Sequence, residues 1–121
     1  MKTRIMYIEQ KTGDFAQAFI GRVTFSKSGK TIYYRDKAFQ SVGDGNYGNY
    51  YGYNKEEYIA NQNAKEWKHL PYEVYWISGP KKDGSDRLFG GTPVIQVDED
   101  VREEYWTTIR GLPEFTNKES F

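Results

Sequence analysis

The sequence predicts a mainly β (α+β) fold: a small antiparallel SH3-like barrel or roll of about five or six strands with one C-terminal helix. Three observations carry that expectation. Short strand-like runs recur with turn residues between them about every 8–12 positions. Aromatic residues, which suit a pleated and half-buried surface, are abundant, with eleven Tyr, seven Phe and three Trp in 121 residues. The clearest helical pattern stands alone near the end, so no βαβ alternation points to a parallel sheet, and there is no internal repeat.

Taken in order, Ile5-Met6-Tyr7-Ile8 is an apolar run fit for a buried strand, broken by Lys11-Thr12-Gly13-Asp14. From Phe19 to Phe25 the pattern alternates. Phe19, Gly21, Val23 and Phe25 share one face, with Ile20, Arg22 and Thr24 on the other. Lys27-Ser28-Gly29-Lys30 is a turn, and Thr31 to Arg35 returns as the second arm of a hairpin. Asp36-Lys37 interrupts, and Ala38 to Val42 is expected to continue that strand past a bulge. Gly43 to Asn54 reads as a loop or a strongly bent edge, since its Gly and Asn residues permit positive φ.

Asn54 with Glu57 forms a capping box for a short helix through Tyr58 and Ile59, inside a polar excursion that runs to Pro71. Tyr72 to Ser78 is apolar or aromatic on both faces, as in a strand covered on both sides. A basic turn at Lys81-Lys82-Asp83-Gly84 leads to Arg87-Leu88-Phe89, and Val94 to Val97 is the last strand. Asp98 is placed to cap the C-terminal helix, with Glu99 and Asp100 where the helix dipole favours acids. Val101, Tyr105 and Ile109 share its buried face, Gly111 marks the stop and Pro113 follows. Residues 1–113 make a single β-rich domain and 114–121 a frayed tail.

Composition bounds the chemistry. There is no cysteine, so neither disulfides nor a thiolate metal site holds the fold. The first residues lack the apolar core of a signal peptide, and no apolar run suffices to span a bilayer. These features predict a cytoplasmic protein without a membrane partner. The formal net charge is zero. Residues 1–55 hold nine Lys/Arg and four Asp/Glu, and residues 56–121 hold eight and thirteen. Interleaving of the two halves predicts a mixed surface rather than one basic face.

Two longer blocks stand out together. One is Tyr75-Trp76-Ile77-Ser78-Gly79-Pro80-Lys81-Lys82-Asp83-Gly84. The other is Asp98-Glu99-Asp100-Val101-Arg102-Glu103-Glu104-Tyr105-Trp106. With Ile20 to Lys27 and Thr31 to Tyr34 they resemble a family of short bacterial proteins with no assigned activity. The likeness covers residues 4–110, with Lys55 to Pro71 as an insertion. It implies a bacterial source and one small domain, and carries over no catalytic residue.

Motifs of known chemistry are present only in fragments. Gly43-Asp44-Gly45 matches the start of a thiamine diphosphate motif, but residues 71–76 lack the Asn that the motif needs downstream. Lys27-Ser28-Gly29-Lys30 has the letters of a phosphate loop without its upstream glycine or its strand-to-helix setting. Ser78 lacks the frame of a nucleophile elbow. His69, the single histidine, reads as a surface or packing residue. The carboxylates from Asp98 to Glu104 read as helix capping and solubility rather than a cation loop.

Catalytic groups are therefore not concentrated anywhere, and neither a catalytic residue, a metal site nor a cofactor is predicted. The first expectation is a non-enzymatic module that binds a protein partner or self-associates through a tyrosine-rich surface of Tyr47, Tyr50, Tyr51 and Tyr53. The second is a single-stranded nucleic-acid binder that adds Lys81, Lys82 and Arg87 to those tyrosines. An enzyme is the weakest reading.

Overall fold

β1, Thr3–Gln10, is buried without a break from Ile5 to Glu9 because it pairs on both edges and is covered on both faces. A computed structural model of the chain describes residues 2–12, 17–42, 48–66, 68–82 and 95–111. The remaining strands are β2 (Ala18–Phe25), β3 (Thr31–Tyr34), β4 (Lys37–Ser41), β5 (Tyr50–Asn54), β6 (Glu73–Ser78) and β7 (Ile95–Val97). Each strand from β1 to β6 pairs antiparallel with the next, and β6 returns to pair antiparallel with β1. The result is a closed six-stranded barrel, the small antiparallel barrel that the sequence predicts. No helix among the described residues is long and apolar enough to cross a membrane.

The predicted alternation of β2 holds. Val23 faces a lumen filled by Met6, Ile8, Ile32, Tyr34, Phe39, Tyr75 and Ile77, with Phe19 and Phe25 packed against them. The other face of β2 and β1 carries a second core of Ile5, Tyr7, Ala18 and Ile20. Val101 and Tyr105 of the C-terminal helical stretch cover it, with Ile109 packed alongside, which is the face predicted for that helix. The stretch is not one regular α-helix. It starts as a 3₁₀ turn over Glu99–Val101, passes through an α turn at Arg102–Glu104 and ends π-helical over Tyr105–Ile109. The Arg110 amide donates to the Tyr105 carbonyl at 2.9 Å, the wide spacing of a π turn. Gly111, at φ +67°, ends it.

Two further expectations are corrected. Arg35-Asp36 does not carry a strand past a bulge but reverses the chain in a tight hairpin, with Tyr34 opposite Lys37. The reversal needs positive φ at Arg35, +55°, which that sequence does not advertise. Part of the segment 43–54, predicted as a loop or a strongly bent edge, is β5, a wall strand paired on both sides. Gly52 sits where a Cβ would lie 2.5 Å from the Tyr75 ring, so this glycine serves packing rather than a bend. Tyr75 and Phe39 fill the space edge-to-face, with centroids 4.7 Å apart. The turn at 83–84, Arg87 to Phe89 and the tail lie outside the described residues.

β2 shares its second edge between two strands. Thr24 and Phe25 pair with β3, while Ala18 to Ile20 pair with β7, which runs parallel to them. The two meet at Gly21, where a Cβ would collide with the Tyr34 ring and the Asp98 carboxylate. Asp98 is the N-cap residue of the helical stretch, as predicted, but its side chain makes no capping bond. Its carboxylate instead accepts from the Tyr34 hydroxyl at 2.5 Å and from Arg35 at 2.8 Å. The Asp98 amide donates to the Ile20 carbonyl at 2.9 Å. Gly21→Ala is expected to lower stability by about 1–3 kcal/mol through this collision, read as a lower denaturation midpoint. Asp98→Asn, which keeps the shape, should cost less than Asp98→Ala.

Candidate functional site

Among the described residues, Tyr33, Tyr51, Tyr53 and Tyr58 gather on the outside of the barrel over β3, β4 and β5. Strand register sets the strand residues in rows: Tyr33 stands beside Ala38 and Ala38 beside Tyr53, while Gln40 stands beside Tyr51 and Tyr51 beside Val74. Ala38, fully buried, is small enough to let larger neighbours close over it.

The chain then folds back over this face. Asn54 caps helix α1, Lys55–Gln62, by accepting from the Glu57 amide at 3.0 Å, as the capping box predicts. One turn on, Tyr58 is buried against Tyr53, ring centroids 5.4 Å apart, with its hydroxyl 3.3 Å from Thr31 Oγ1. Buried Asn61 holds the return segment: its amide donates to the Lys68 carbonyl at 2.8 Å and accepts from the Lys68 amide at 2.9 Å. That two-way bond brings the following residues back beside β5.

Between them lies a groove of about 420 Å³, walled by Gln40, Tyr51, Tyr53, His69, Leu70 and Tyr72. Tyr51 and Tyr72 are stacked, centroids 4.1 Å apart and planes 24° apart. Tyr72 remains 49% exposed despite this contact. A hydrogen bond with Tyr72, followed by charge repulsion and burial, pushes the Tyr51 hydroxyl pKa up. The Tyr53 hydroxyl is pushed up by burial first and then by the neighbouring phenols of Tyr58, Tyr72 and Tyr51. None of the described residues that line the groove is Asp, Glu, Lys or Arg.

The tyrosines predicted as one surface separate by strand parity. Tyr51 stands in the groove and Tyr53 forms its floor, 9% exposed, whereas Tyr50 packs against the lumen core. Tyr47 and Arg87 lie outside the described residues. Lys81 and Lys82 are exposed past the end of β6, on no wall of the groove. Sequence reasoning missed Tyr72, Leu70 and Gln40, and set His69 aside. A usable signal was present: a short capped helix directly after β5 obliges the chain to return across β5 before β6 begins.

β6 also departs from the sequence reading. Its inner face, Tyr75 and Ile77, is buried, but Trp76 on the outer face is 39% exposed. Beside Trp76 in register stands Glu9, a buried carboxylate that accepts from Tyr7 Oη at 2.6 Å and pairs with Lys11 at 3.0 Å. That pairing offsets the cost of burying the charge and gives Glu9 a structural role.

Phenol ionisation gives a test of the lumen. Burial first, then the charges of Glu73 and Asp36, push the Tyr75 pKa up to about 12. Burial and the Asp98 hydrogen bond push Tyr34 up as well. With a pKa higher in the folded than in the unfolded chain, their contribution to stability is complete below about pH 10. It is lost as pH rises toward 12. Stability measured by denaturant titration should therefore fall across that window, and less steeply in Tyr75→Phe.

Compared with known proteins, the chain matches no family model, no curated protein and no solved structure.

Proposed function

We propose that the protein is a small non-enzymatic interaction module that holds an extended, proline-containing segment of a partner protein in the Tyr51–Tyr53–Tyr72 groove. The observation that carries this reading is the stacked Tyr51–Tyr72 pair, anchored by its neighbours yet open to solvent at Tyr72. Tyrosines fixed in this way present a large amphipathic area and lose little side-chain entropy on binding. A polyproline II segment is itself preformed, and its flat prolines pack on aromatic walls. Gln40 and His69 supply polar groups at the groove for the segment's backbone carbonyls.

A lining without Asp, Glu, Lys or Arg among the described residues argues against a phosphate backbone in the same groove, since phosphate contacts dominate nucleic-acid affinity. One observation favours a second reading elsewhere on the molecule. Exposed Trp76 lies on the strand that leads to Lys81 and Lys82, a pairing of stacking ring and cations suited to single-stranded nucleic acid.

Panning a library of random short peptides on the protein is expected to enrich proline-containing sequences. Their affinity should drop about tenfold or more in Tyr72→Ala, as for an aromatic hot spot, with thermal unfolding unchanged. Enriched peptides that bind Tyr72→Ala as well as the parent, or no enrichment at all, would remove the groove reading. Salt-sensitive binding of oligo-dT that is lost in a Lys81→Gln, Lys82→Gln double variant would instead support the second.

A further inference from the structure

The barrel lumen is not filled to its end. Beside the β3–β4 turn a cavity of about 180 Å³ remains, bounded within by Phe19, Tyr34, Phe39 and Tyr75. Arg35, Lys37 and Asp36 stand around it as charged groups. None of its lining residues belongs to the tyrosine groove.

Arg35 is unusual in three respects. Among the described non-glycine residues it alone has positive φ, +55°. Such a conformation persists only where the surroundings impose it, and is found disproportionately at functional sites. Its guanidinium lies over the Phe19 ring, 4.4 Å from the centroid, and 5.2 Å from that of Tyr34. Asp98 engages one of its nitrogens at 2.8 Å, while a guanidinium carries five N–H donors in a fixed fork. The cation is thus held at the cavity before any ligand arrives, with hydrogen-bonding capacity to spare.

We propose that this end of the barrel is a binding site for a small planar aromatic carboxylate. The size fits one ring: an apolar cavity of about 150 Å³ takes up benzene. The rings of Phe19, Phe39 and Tyr75 supply faces and edges for it. The charge that favours an anion is that of Lys37, because Arg35, the other cation lining the cavity, is already paired with Asp98. Arg35 and Asp36 are both solvent-exposed, where water screens them, whereas Lys37 is half-buried. A ligand carboxylate meeting the Arg35 fork and the Lys37 ammonium would make charge-assisted bonds with little reorganisation of the protein.

The test is a titration of the full chain with benzoate, benzamide and benzylamine, followed by the NMR resonances of Ile8, Phe19 and Lys37. Benzoate is expected to shift them saturably and to bind about tenfold tighter than benzamide. Benzylamine should bind most weakly. Lys37→Gln and Arg35→Gly should each lose most of the preference for benzoate. Glycine accepts the φ of position 35, so that variant keeps its turn. Tyr72→Ala should change nothing here, which separates this site from the peptide groove. Equal binding of benzamide and benzoate, tighter binding of benzylamine, or an unchanged preference in both cavity variants would overturn the proposal. So would the absence of a saturable shift at these residues with any of the three probes.

Discussion

The contact on which the arrangement of this protein depends is the carboxylate of Asp98 seated at Gly21. β2 must serve two partners along one edge, an antiparallel strand at one end and a parallel strand at the other. A plain ladder has no place for that junction. Here the Asp98 amide continues the bonding pattern of β7 onto Ile20, and its carboxylate turns toward the end of β3 to bind Tyr34 and Arg35. Three otherwise separate features meet at it: the parallel strand joins the barrel, the helical stretch starts where it can cover the second core, and the Arg35 guanidinium is tied to that start. A surface ion pair is worth little by itself. This one gains from the low exposure of Asp98 and from the tyrosine hydroxyl that shares the carboxylate.

A second constraint is the exchange of glycine for aromatic volume. At Gly21 and Gly52 the barrel wall gives up side chains, and the rings of Tyr34 and Tyr75 occupy the space. Gly48 is similar, since a Cβ there would collide with Val74 and lie 2.6 Å from the Tyr75 carbonyl. Next to it, Asn49 uses its side-chain amide as a piece of backbone, donating to the Ile77 carbonyl and accepting from the Ile77 amide. The abundance of tyrosine is intelligible in these terms. A ring reaches across a small barrel while its hydroxyl ends near a polar partner, as Tyr34 does on Asp98 and Tyr7 on Glu9.

The groove arises from a different cause. The segment between β5 and β6 is far longer than a hairpin needs, and α1 with Asn61 uses the excess to lay Leu70 and Tyr72 against the outer tyrosines. At the barrel end the rings of Phe19, Tyr34, Phe39 and Tyr75 stand beside Ile8 and the polar side chains of Gln10 and Gln17. Two recesses of different chemistry thus lie on one small domain, one walled by tyrosines, the other aromatic with charged groups beside it.

Period-two alternation in residues 19–25, the apolar run at 5–8 and the capping box at Asn54 and Glu57 are local signals, and each determined its element from sequence alone. Strand character, the β2–β3 hairpin, the short helix and the buried face of the C-terminal stretch belong with them, because each depends on residues close together in the chain. What the tertiary structure decided depends on residues far apart. Arg35 turns the chain in a tight hairpin, and Asp98, remote in sequence, binds its guanidinium. Gly52 lies in a strand because Tyr75 needs its volume, although a run of Gly, Asn and Tyr looks locally like a loop. Tyr50 and Tyr51, adjacent in sequence, point to opposite faces of β5, and closing the barrel makes the face of Tyr50 the inner one. Composition supplied the tyrosines; only barrel closure assigned them to a core, a seam or a groove.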